Sequence, residues 1–363
     1  MIPIYKPMIE KDDIEAICET AKSGWVSSRG ENIQQFENQF SKYIGMSSGV
    51  ATSNGTTALH LALSALGIHE SDEVIVPDFT FVSPVNAVLY QGAKPVLVDA
   101  ESETWGMDPK KVLSSITPKT KAIIVVHVYG NPAKLDEIKE IADDRSIYLV
   151  EDCAESIGAK FLGKRVGSFG TISCFSFYGN KIITTGEGGM CLTNEKDIEE
   201  RMKMLRDHGM SNSKRYWHDI IGYNYRMTNI QAALGLSQLS KIDKILKRKR
   251  EIAKIYYENL PKEVATYIRN DYSESVYWLF SILSKNELEK QSILDSLERN
   301  GYETRPFFYP VHSMPPYLKF ISDTDTFEVS KHISDVGINL PSYPELTNEQ
   351  VLGVCRAVKQ AID

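Results

Sequence analysis

The chain has 363 residues, 42% of them apolar, and 41 Lys+Arg against 48 Asp+Glu for a formal net charge of −7. This length exceeds one ordinary domain and supports a sizeable core, while mild acidity without like-charged blocks excludes nucleic acid as the main partner. Cys18, Cys153, Cys174, Cys191 and Cys355 form an odd, scattered set without CxxC spacing, so the pattern favours neither a disulfide framework nor a zinc site. No metal is expected. The opening MIPIYKPMIEKDD lacks a basic start followed by an apolar run, and no stretch approaches the roughly 20 apolar residues of a spanning helix. The expected product is soluble and cytoplasmic.

From about residue 50 to 195, helical and short apolar segments alternate. GTTALHLALSALG reads as helix, EVIVP as strand, SPVNAVLYQG as helix, and KPVLVD and KAIIVVHVYG as strands. LDEIKEIADD then reads as helix and SIYLVEDCAE as strand. The alternation predicts an α/β fold with a mostly parallel sheet, and the unbroken aliphatic runs Ala122–Val128 and Ile147–Val150 predict strands covered on both faces. Leu239, Ile242, Leu246, Ile252 and Tyr256 recur at helical spacing, which predicts one long amphipathic helix with its basic residues on the solvated face. Beyond it, a strand-like SVYWLFSIL, a helix near Glu287 to Asn300 and a last helix from Asn348 predict a smaller α+β unit. The expected division is a large domain over residues 1–240 and a small one over 241–363.

Ligands of such sheets bind beyond the carboxyl ends of strands, where Asp99, Tyr129, Asp152 and Lys181 fall. Around Ser53, SNGTTALHLAL sets Gly55, Thr56 and Thr57 before an apolar helix, an arrangement that suits a phosphate at a helix N-terminus and equally an ordinary Ser53 or Asn54 cap. Asp152 ends a central strand, where its carboxylate serves either as a loop cap or as the partner of a cationic heterocycle. Lys181, in FSFYGNKIITTGEGG, sits between a strand and a glycine-rich turn, with Ser176 five residues ahead. A desolvated lysine there can hold an aldehyde as a Schiff base. GAKFLGKR approaches a P-loop, but Arg165 replaces its Ser/Thr and the segment reads as a hairpin. His60 and His127 read as packed histidines, and His208 and His218 lack metal-ligand spacing.

Phosphate cradle, strand-end acid and lysine, in that order, are the parts of a pyridoxal-phosphate site. Together with VPDFTFVSPVNAV, VEDCAESIGA, IGYNYRMTNIQAALGL and TRPFFYPVH, they make the chain resemble the DegT-type sugar-nucleotide aminotransferases, members of the fold-type I pyridoxal-phosphate enzymes. The resemblance implies Lys181 as the Schiff-base residue, Asp152 on the pyridine nitrogen, and Ser53, Gly55, Thr56 and Ser176 around the phosphate. It implies Phe81 stacked on the cofactor ring and Glu155, at a position often glutamine in the family, near its phenolic oxygen. Asn224 would reach the cofactor phosphate of a partner subunit, which implies a homodimer with sites at the interface, and Arg226 would hold that loop. Arg305, Tyr309 and His312 resemble substrate-facing residues, whereas Pro84 and Asn86 suit a helix start.

The implied reaction moves the amino group of L-glutamate onto a 4-keto-6-deoxy sugar nucleotide, with a GDP-linked mannose derivative as the leading acceptor, for O-antigen or surface polysaccharide synthesis. A UDP- or dTDP-linked keto sugar is the alternative within the enzyme class. A sugar 3-dehydratase carries histidine at the lysine position, so Lys181 disfavours that relative, and the intact lysine, acid and serine disfavour a non-catalytic regulator.

Overall fold

The computed structural model describes residues 1–211, 213–264, 266, 270–322 and 325–362. Its centre is a seven-stranded sheet made of β1 (Ser48–Thr52), β2 (Glu73–Pro77), β3 (Lys94–Val98), β4 (Thr120–Val126), β5 (Tyr148–Asp152), β8 (Ile172–Ser176) and β9 (Gly189–Thr193). The strand order is β1-β9-β8-β5-β4-β2-β3. Strands β8, β5, β4, β2 and β3 pair in parallel, and only β9 runs against its neighbours. The α/β, mostly parallel fold expected from the alternating pattern is therefore present.

The continuous aliphatic runs have a direct physical origin. Along a strand, successive side chains point to opposite faces, and here both faces are dry. Ile75, Ile123, Val125 and Leu149 enter one apolar core with Phe36 and Phe40 of the helix Glu31–Ile44 and Leu135 and Ile138 of the helix Leu135–Asp144. Val74, Val76, Ala122, Ile124 and Val150 enter another, against the helices Gly55–Ala65, Ser83–Tyr90 and Lys196–Arg206. Pro84 opens the second of these helices, and Asn86 accepts the Tyr317 hydroxyl at 2.8 Å.

GAKFLGKR does form a hairpin, of β6 (Lys160–Phe161) and β7 (Lys164–Arg165), with β10 (Ser273–Glu274) added at its edge. Its turn places Leu162 and Gly163 at φ 48° and 77°, the paired left-handed geometry that closes a two-residue hairpin. A third sheet orders β11 (Phe280–Leu283), β13 (Gly337–Leu340) and β12 (Arg305–Pro306). It packs with Ile252 and Tyr256, the helix Glu287–Arg299 and the helix Asn348–Ile362 around a third core.

The expected long amphipathic helix is present as Ile242–Asn259, while Leu239 joins the core of Ile242 and Leu246 from the preceding helix Asn229–Ser240, with Lys241 at φ −114° between the two helices. All five predicted apolar positions are buried. The basic residues are not all solvated, however. Lys241 turns inward to the buried Asp13 carboxylate at 2.7 Å, and Lys249 is 1% exposed. Helical periodicity marks the apolar stripe but says nothing of a lysine whose long stem carries its charge to a polar partner inside.

Candidate active site

Beyond the carboxyl ends of β5 and β8 lies a cavity of about 630 Å³, within the range of small-molecule sites. Gly55, Thr56, Phe81, Asp152, Glu155, Ser176, Lys181 and Arg305 all line it. Residues far apart in sequence thus meet at one place because strands end there together.

The phosphate-like cradle is built first by the helix Gly55–Ala65. Asn54 caps it, accepting the Thr57 N–H at 2.9 Å, while the Thr57 hydroxyl returns to the Asn54 backbone. Capping therefore engages Thr57 and leaves Gly55 and Thr56, whose N–H groups have no intrahelical acceptor, at the open end. The expected cap and the expected cradle coexist. A Cβ on Gly55 would stand 2.8 Å from Ser176 Cβ, so glycine is what allows the helix start to close on the end of β8. Thr56 Oγ1 lies 2.8 Å from Ser83 Oγ, adding a hydroxyl pair at the same mouth.

Lys181 lies in the turn between β8 and β9. Its N–H donates to the Tyr178 carbonyl at 2.9 Å, and Thr185 N–H and Thr184 Oγ1 both return to the Phe177 carbonyl. Ile182 and Ile183 are buried behind it, so the turn is anchored while the amine points into the cavity. Burial pulls the Lys181 amine below its usual pKa, and the nearby carboxylates of Glu155 and Asp152 partly offset this. Glu155 Oε1 is 3.9 Å from Nζ. Burial pushes the Glu155 carboxyl up to about 7, against the pull of Lys181 and of the Tyr129 N–H, which donates to Oε2 at 2.7 Å.

Asp152 is 6% exposed and accepts the Ala154 N–H at 3.0 Å. Burial raises its pKa, with the Ala154 bond and the Lys181 and His127 charges acting the other way. A buried carboxylate on the cavity wall, a lysine amine and a helix N-terminus provide for a cation, an aldehyde and a phosphate respectively. The residues present therefore fit pyridoxal phosphate.

Other expected residues stand elsewhere. Ser53 is beside the cradle but off the wall, with its hydroxyl 3.2 Å from Thr57 Oγ1. Asn224 is exposed, accepts Arg226 Nε at 3.0 Å and lies outside this chain's own cavity; Arg226 pairs with Asp207 at 2.7 Å. Tyr309 is exposed and off the wall. His312 turns to the buried Asp78, donating its backbone N–H and placing Nδ1 at 2.7 Å from the carboxylate, and its ring stacks on Phe327. His127 is wholly buried, 3.3 Å from Glu151 and accepting Ala133 N–H, and His60 packs among Tyr90, Tyr223 and Tyr225.

The structure also adds residues that spacing does not single out. Trp278, Phe308 and Asn180 line the cavity, and the Tyr5 hydroxyl donates to the Lys181 carbonyl at 2.6 Å. Trp278 sits in a segment whose pattern says only strand, and Tyr5 in one whose pattern says little. Their proximity to Lys181 comes from tertiary packing alone. Among the described residues, no helix is long and apolar enough to cross a membrane.

The model of the DegT/DnrJ/EryC1/StrS aminotransferase family matches residues 7–359. The GDP-perosamine synthase of Escherichia coli O157:H7 is 46% identical over 359 residues, covering 99% of this chain and 98% of that protein. The GDP-perosamine synthase of Vibrio cholerae is 43% identical over 364 residues with the same coverage. Among solved structures, the PLP form of Spr1654 from Streptococcus pneumoniae superposes with a TM-score of 0.93 at 25% identity, covering 100% of both chains. With a cavity that fits the cofactor and a family match over nearly its whole length, the chain belongs to the DegT/DnrJ/EryC1/StrS aminotransferase family and is a pyridoxal-phosphate-dependent aminotransferase.

Proposed function

We propose that this aminotransferase carries the amino group of L-glutamate to GDP-4-keto-6-deoxy-D-mannose, forming GDP-perosamine for surface polysaccharide or O-antigen assembly. The observation that carries the aminotransfer site is the convergence of Lys181, Asp152 and the Gly55 helix start on one cavity. The choice of acceptor rests on the full-length likeness to the two GDP-perosamine synthases.

Pyridoxal phosphate, when bound, supplies an electron sink for the carbon that loses its proton. Gly55, Thr56 and Ser176 would hold its phosphate, Asp152 its ring nitrogen, Phe81 its ring face and Lys181 its aldehyde carbon. Lys181, made less basic by burial, can take a proton from the donor's α-carbon as a neutral amine and give one back as an ammonium. Asp152 would keep a proton on the ring nitrogen, because a buried carboxylate is stabilised by a cation beside it. Arg305 offers a guanidinium fork to a donor carboxylate or a nucleotide phosphate, and the buried Trp278 excludes water from part of the wall that it shares with Phe308. The exposed Asn224 completes the phosphate site of a second copy, so the working form is a homodimer.

The test offers glutamate with a panel of GDP-, UDP- and dTDP-linked keto sugars and identifies the aminated product by mass spectrometry and NMR. The expected product is GDP-perosamine. Turnover of a UDP- or dTDP-linked acceptor with none of any GDP sugar would overturn the acceptor while leaving aminotransfer in place. Borohydride should fix the cofactor to the peptide holding Lys181, and sedimentation should give a dimer.

A further inference from the structure

Trp278 faces the Lys181 amine, with Nζ 3.9 Å from the centre of the indole. The ring is fixed from several sides. Its Nε1 donates to the carbonyl of Asn180, the residue before the lysine, at 2.6 Å. Tyr129 stacks on it with centroids 6.2 Å apart and planes 22° apart. Its own carbonyl accepts Lys249 Nζ at 3.0 Å, and Lys249 also bonds the carbonyl and hydroxyl of Ser342. Lys249 is therefore a buried amine held by neutral oxygens, an arrangement that burial makes costly and that drives its pKa well down. Through these bonds Lys249 ties the backbone of Trp278 to Ser342. On the other side, the Tyr5 hydroxyl holds the Lys181 carbonyl. The backbone around Lys181 is thus clamped, and the freedom left to the residue is in its side chain.

We propose that Trp278 is a positioning residue for Lys181, its indole receiving the ammonium form whenever the amine is free, and that Lys249 fixes the indole for this purpose. The proposal rests on Lys181 being the residue that binds the cofactor. An indole face attracts a cation, and more so when water is excluded, yet it cannot take the cation's proton. Glu155 at 3.9 Å can. A face that holds charge without competing for the proton keeps the lysine loaded between its two transfers. The charged groups facing the amine are Glu155 and Asp152, which favour the ammonium, while Glu187 and Arg305 stand elsewhere on the cavity wall. Removing the indole withdraws one support of the ammonium, so the amine should lose its proton about one pH unit lower.

The test uses the pyridoxamine form of the holoenzyme, in which Lys181 is not bonded to the cofactor. Limiting acetic anhydride is applied across a pH range, and acetylation of Lys181 is read by peptide mass spectrometry. Trp278→Met fills the space without a π face and should lower the midpoint by about one pH unit, while Trp278→Phe, which keeps a face, should stay within about a third of a unit of the unaltered enzyme. A Met midpoint equal to or above that of the unaltered enzyme overturns the proposal, as does a Phe midpoint that falls as far as Met. Should Trp278→Met not fold, Lys249→Met keeps the indole but releases its carbonyl; a lowered midpoint supports the proposal and an unmoved one overturns it. Borohydride trapping on the unaltered enzyme separates the two levels. Trapping at another lysine overturns the Lys181 assignment and the proposal together, whereas trapping at Lys181 with unmoved midpoints overturns the proposal alone.

Discussion

Glu155 stands 3.9 Å from the Lys181 amine while accepting the Tyr129 backbone N–H at 2.7 Å, so one carboxyl joins the cavity's lysine to a fixed point of the fold. Tyr129 adopts a φ of 53°, a left-handed conformation that is rare for a bulky side chain. Its N–H reaches Glu155 and its hydroxyl accepts the Phe308 N–H at 2.9 Å. The aromatic wall and the acid are therefore positioned by the same residue.

The Glu155 carboxyl gives a pH signature. Its pKa in the fold, about 7, lies above the ordinary 4.5, so the folded state holds the proton more tightly than the unfolded one. The resulting stabilisation is full below the ordinary value and is lost as pH rises through about 7. Glu155→Gln, which cannot ionise, should become more stable relative to the unaltered apoprotein as pH goes from 5 to 8. Calorimetric melting at several pH values checks this, and parallel Tm curves for the two proteins would contradict it.

Gly55→Ala adds a methyl group where only 2.8 Å separates it from Ser176 Cβ. Overpacking of this kind costs about 1–3 kcal/mol, and here the strain falls on the cradle. The fold should survive while affinity for pyridoxal phosphate drops roughly tenfold or more. Fluorescence titration of the apoprotein measures it, and an unchanged curve would remove Gly55 from the phosphate site.

Tyr129→Phe deletes the hydroxyl that satisfies the Phe308 N–H. The expected loss is about 1 kcal/mol in urea unfolding, the usual scale for one such bond. Because Phe308 lines the cavity, KM for the sugar acceptor should rise as well. Stability and KM both unaltered would show that the bond does not hold the wall.

His312→Ala separates two roles for this residue. Its ring faces Asp78, not the cavity, so the variant leaves a buried carboxylate short of a partner. Destabilisation of about 2 kcal/mol is expected, with KM for the acceptor moving less than about threefold. A large KM change with unaltered stability would restore a substrate contact.

The fold was legible wherever one pattern had one physical cause. Unbroken aliphatic strands such as Ile123 to Val126 mean two covered faces, and both faces are covered. The meeting of Lys181, Asp152 and Gly55 at one cavity was legible because a parallel sheet gathers its strand ends and a helix start at the same edge. Lys241 and Lys249 were read as solvated because spacing reports the Cα position, whereas the burial of a lysine depends on where its stem leads. Trp278 and Tyr5 carry no signal of their contact with Lys181, since no local rule links residues that meet only after the chain has folded.

The clamp around Lys181 also bears on when the site forms. Tyr5 and Trp278 grip the same short turn from opposite parts of the sequence. Contacts of such long sequence separation require loop-closure entropy to be overcome first and therefore form slowly. During synthesis, the sheet that carries Asp152 and Ser176 can assemble well before Trp278 leaves the ribosome, so competence for the reaction should arrive as a late step, after most of the secondary structure is in place.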